Sequence, residues 1–84
     1  MEQLGPGYPG DVFEEVSRQA LARSRRAWLF AVDAQLRAAE RHEACAELLA
    51  RLGNVPGARH EVARAAKERT AHAQAVAAHP DWLS

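Results

Sequence analysis

From Asp11 to Leu52 the chain runs without glycine or proline, and its apolar residues recur every three or four positions. That period is the mark of a helix, because positions three and four apart share one face. Asp11 with Glu14 three residues later reads as a capping box that opens this helix. Gly53 reads as the left-handed residue that closes it. The segment GNVPG follows, and Pro56 suits the first turn of a second helix that runs to Pro80. The pattern predicts an all-α chain: a helix over about 11–52, a loop over 53–56 and a helix over about 57–79. So short a loop folds the two helices into an antiparallel hairpin. Residues 1–10, with three glycines and two prolines, form an irregular arm, and residues 11–84 a single hairpin domain with a short C-terminal tail. A break near Ser24, giving three helices, is the rival arrangement.

A helical wheel divides the apolar residues of the first helix into two stripes about 120° apart. One holds Phe13, Val16, Ala20, Ala27, Phe30, Ala31, Ala34, Ala38, Cys45, Leu48, Leu49 and Leu52, interrupted by Arg23 and Arg41. The other holds Leu21, Trp28, Val32, Ala39, Ala46 and Ala50, with Leu29 and Leu36 at its edge. The second helix has one nearly all-alanine face of Ala58, Val62, Ala65, Ala66, Ala73, Val76 and Ala77, with Arg69 in its midst. The expectation is that the first stripe faces the second helix. Trp28, Val32 and Leu36 are then left without cover, apart from the tail residues Trp82 and Leu83 arriving near Trp28. Pairing of two hairpins by the second stripe would form a dimeric four-helix bundle. The expected interface residues are Leu21, Trp28, Leu29, Val32, Leu36 and Trp82.

Composition narrows the class further. The chain has 84 residues, enough for one small domain. Its eleven basic and eleven acidic residues cancel, so no net charge draws it to nucleic acid or to an anionic membrane. Nineteen alanines and ten arginines favour helix, and the scarcity of β-branched residues disfavours strands. The longest purely apolar run, Ala27–Val32, falls far short of the ~20 residues of a membrane span. The N-terminus is neither basic nor apolar, as a signal peptide would be. A single cysteine fits a reducing, cytoplasmic setting.

Candidate chemistry is sparse. Pairing around the loop sets His42 opposite Glu68, with His72 one turn further on, and His plus carboxylate is a donor set that suits zinc or a di-metal site. The Glu-x-x-His spacing of di-iron bundles is absent. Arg18, Arg23, Arg25 and Arg26 beside Trp28 would serve a nucleic-acid contact, but the balanced charge favours a solvated face paired with Glu14, Glu15 and Asp33. Cys45 reads as a small apolar residue. No Gly-rich loop or sharp turn presents a nucleophile, and no cofactor is implied. The stretch LARLGNVPGARHEVARAA (49–66) resembles the turn of a tetratricopeptide repeat, with Gly53, Ala58 and Ala65 at that family's offsets. It covers part of one unit, and it implies a closely packed helix–turn–helix over residues 44–66. Taken together, the residues favour a non-enzymatic module that oligomerises or binds other proteins. A helical metal-binding protein or enzyme using His42, Glu68 and His72, or a nucleic-acid accessory using Arg18–Arg26, are the alternatives.

Overall fold

A computed structural model describes residues 8–83. It contains an all-helical hairpin: α1 over Tyr8–Arg51, α2 over Val55–Ala78, and a short 3₁₀ turn over Pro80–Leu83. α1 is one continuous helix of 44 residues, with no break at Ser24. It starts three residues before the expected cap. Asp11 therefore lies in the first turn, where its negative charge suits the positive end of the helix dipole. The arm expected over residues 1–10 is helical from Tyr8, and residues 1–7 fall outside the described part.

The turn is built as the sequence requires. Gly53 takes φ +82°, and its N–H donates to Ala50 O at 3.0 Å while Asn54 N–H donates to Leu49 O at 2.8 Å. This pair of bonds is the Schellman motif, which satisfies carbonyls that the helix end would leave orphaned. Asn54 then serves α2 as well, since its side-chain oxygen accepts from Gly57 N–H at 3.0 Å. A β-carbon on Gly57 would come within 2.7 Å of the Asn54 side chain, so a side chain there would displace the cap. Pro56 sits in the first turn, and α2 begins two residues earlier than expected.

The register of the hairpin follows from three cross-helix bonds. Trp28 Nε1 donates to Ala75 O at 3.1 Å, His72 Nδ1 to Val32 O at 3.1 Å, and His42 Nδ1 to the Glu61 carboxylate at 2.5 Å. These set Ala39 opposite Ala65 and Ala46 opposite Ala58. The alanines at the first pair are sealed, with Ala39 0% and Ala65 3% exposed. Residues 25, 28, 32, 35, 39, 42, 46 and 49 of α1 form this seam, an unbroken 3–4 spacing. It meets the same spacing in α2 at 58, 61, 65, 68, 72, 75 and 79. That is the repeat that keeps two supercoiled helices in contact.

The structure corrects the sequence analysis on which face turns inward. Val32, Ala39 and Ala46 of the second stripe are buried against α2, while Phe30 at 71% and Leu52 at 72% exposure show the first stripe facing out. The reason lies in α2. Its packing face keeps Ala58 and Ala65 of the expected alanine face, leaves Val62, Ala66, Ala73 and Ala77 exposed, and takes in Glu61, Glu68 and His72. A hydrophobicity wheel discards such a face. Polar groups nevertheless pack inward where they find partners, as His42 does in Glu61 and His72 in the Val32 carbonyl, and the small alanines between them let the backbones approach.

The end of α2 is fastened by α1. Ala75 O lies in the last turn, where carbonyls lack intrahelical donors, and the Trp28 indole supplies one. Arg25 Nε donates to Trp82 O at 2.9 Å. His79 stacks on Trp82 with ring centroids 3.9 Å apart, and Trp28 meets both rings edge-on at 5.8 and 5.6 Å. Trp82 thus reaches Trp28, as expected of the tail.

Candidate interaction surface

Only Val32, Ala39, Ala46 and Ala65 are buried apolar residues among those described. The hairpin therefore leaves most of its large side chains in water. Beyond Ser24 towards the N-terminus α2 has ended, and every residue from 11 to 24 is exposed. This projecting part of α1 presents Val12, Phe13, Val16 and Leu21 without cover, Phe13 at 74% exposure. The outer stripe continues along the paired part through Phe30, the exposed thiol of Cys45, Leu48 and Leu52. Large apolar side chains lined up along one face are unusual on a monomer and mark contact surfaces.

The residues expected to form an interface divide. Leu21 is exposed on the projecting segment. Val32 is buried inside the hairpin, and Trp28, Leu29, Leu36 and Trp82 are half-buried, with Trp28 and Trp82 engaged with each other. The residues free to meet a partner are instead those of the outer stripe, Phe13, Val16 and Phe30 above all. Sequence reasoning assigned these to the core. The signal that separates the two stripes is spacing: the inner one keeps 3–4 steps from Arg25 to Leu49, whereas the outer one loses phase between Ala34 and Ala38.

The three candidate metal ligands do not converge. His42 is taken by Glu61, one heptad closer to the loop than Glu68, and His72 is bonded to Val32 O. Each of these histidines carries its proton on Nδ1, because a carboxylate and a carbonyl can only accept. No group of three or more His, Cys, Asp or Glu side chains among the described residues is placed to hold a metal. Opposite Glu68 lies Gln35, whose buried Oε1 has no hydrogen-bond partner. In the arginine cluster, Arg18 pairs with Glu15 at 2.7 Å and Arg25 is bound to the tail. Arg69, which interrupts the alanine face of α2, forms a two-pronged bond to Glu43 with both contacts at 2.7 Å. That hydrogen bond, with the guanidinium charge, holds the Glu43 carboxyl below the usual carboxylate range. No helix is long and apolar enough to cross a membrane among the described residues.

Comparison with family models, curated proteins and solved structures gives no match.

Proposed function

We propose that this chain is a non-enzymatic helical module that self-associates, using the outer stripe of α1 as its contact surface. The observation that carries the reading is the run of exposed Phe13, Val16 and Phe30 on a helix that meets α2 by another stripe. The two stripes of α1 lie about 120° apart, so a partner helix on the outer stripe fits beside α2 without displacing it. Burial of Phe13, Val16 and Phe30 from two copies contributes about 9–18 kcal/mol gross at ~1.5–3 kcal/mol per side chain. Association costs about 4–15 kcal/mol, so modest affinity follows. The reading includes a cytoplasmic location, supported by the free, exposed Cys45 thiol, which a reducing compartment tolerates.

Static light scattering gives mass independently of shape and tests this directly. The expected result is a dimer at tens of micromolar, converted to monomer by Phe30→Glu with the helical circular dichroism retained. A wild-type monomer at that concentration overturns the proposal.

A further inference from the structure

The charges of the chain cancel in sum but are segregated by helix. Every exposed charged residue of α2 is basic: Arg59, Arg64, Lys67 and Arg69. Its two carboxylates, Glu61 and Glu68, are half-buried on the side that meets α1. Arg69 is taken by Glu43, whereas Arg59, Arg64 and Lys67 have no ion-pair partner among the described residues. On the helical wheel these three share one arc of α2, turned away from α1, with Thr70 and Gln74. The arrangement works against the helix that carries it. Carboxylates in the first turn and cations in the last stabilise a helix, and α2 has neither. Its cations crowd instead towards its N-terminal half. Arg64 and Lys67 are helical neighbours of like sign, which repel. A partner rich in negative charge would relieve that repulsion.

We infer that this outer face of α2 binds the phosphodiester backbone of a nucleic-acid duplex, without reading its sequence. Charge complementarity calls for an anion, and the other residues of the face narrow which one. With Thr70 and Gln74, donors run about 22 Å along the helix from Arg59 to Gln74. Guanidinium, ammonium, hydroxyl and amide groups are the donors that phosphate oxygens accept from. Ala63 and Ala71 line a shallow groove among them, so a backbone can lie close to the helix. No aromatic side chain stands on this face to stack an unpaired base or to anchor a protein partner. No large apolar one is there to enter a membrane. The face lies on a different helix from the outer stripe of α1, so the inference stands whether or not the chain self-associates.

Fluorescence anisotropy tests it, with the full chain titrated into a labelled duplex of about 20 base pairs in about 20 mM salt. Three neutralised phosphates at about −0.9 each should give log K against log salt a slope of about −2.7, so each doubling of salt weakens binding about sixfold. Arg64→Gln with Lys67→Gln should keep the helical circular dichroism, since glutamine is a good helix former. It should reduce the slope to about −0.9. Arg37→Gln with Arg51→Gln removes the same charge from side chains already paired with Asp33 and Glu47. That variant should leave the dissociation constant within about twofold. Absence of binding at this low salt overturns the inference. So do equal effects of the two double variants, which would make total charge decisive rather than this face. Equal binding of polyglutamate or of phosphatidylserine vesicles, or tighter binding of the single strand, overturns the choice of a duplex.

Discussion

Val32 and Phe30 stand two positions apart and meet opposite fates. Val32 is 6% exposed against α2, and Phe30 is 71% exposed. A charge placed at each should act at a different level. Val32→Glu buries a carboxylate with no partner and should cost about 3 kcal/mol, enough to unfold a hairpin with so few buried residues. Thermal melts should show it as loss of helix, where Phe30→Glu lowers only the mass. If both variants keep full helicity, the inward placement of Val32 is wrong. Nothing in the composition near these residues separates them. Both are large and apolar within one run, and the wheel shows two stripes without saying which one α2 prefers. The choice depends on His42 meeting Glu61 and His72 meeting the Val32 carbonyl. Those pairings exist only once the register is known.

Between elements, the hairpin is held by close approach and by polar pairing in turn. Ala39 opposite Ala65 leaves no room for a larger side chain. Ala65→Leu should therefore push the helices apart and cost about 1–3 kcal/mol by overpacking, although leucine ranks next to alanine as a helix former. Denaturant titration of the two chains measures this, and an unchanged midpoint would show that the helices are not in close contact there. Arg69 and Glu43 supply a surface cross-link with a definite pH signature. The Glu43 carboxyl is held low in the folded chain, so its contribution is complete above the ordinary carboxylate range and is lost as pH falls through the folded value. Glu43→Gln should remove that part of the acid sensitivity, read as a smaller drop in melting temperature between pH 6 and pH 3. An equal drop in both proteins would mean that the pair does not couple to folding. The glycine cap at Gly53, the end of α2 before Pro80 and the antiparallel hairpin were legible in the sequence, because Gly53, Pro56 and Pro80 act through local backbone rules, whereas the capping box at Asp11 was not where α1 begins. The start of α1 was less so. Pro9 and Gly10 read as breakers, yet the first turn of a helix tolerates proline, whose missing N–H has no partner there in any case. The candidate metal set failed for a related reason. Loop geometry alone placed His42 opposite Glu68, and a shift of one heptad replaced it with Glu61.

As a whole the molecule is a rod, 78 × 18 × 17 Å, with α1 about twice as long as α2. Its radius of gyration is 21.7 Å, whereas a compact chain of this length would have roughly 12 Å and one of roughly 400 residues would have 21.7 Å. A sizing column ranks molecules by the drag they present rather than by their weight. A single copy of this hairpin should thus leave such a column ahead of compact proteins of equal mass. Its retention would imitate that of an assembled dimer even when no second copy is bound.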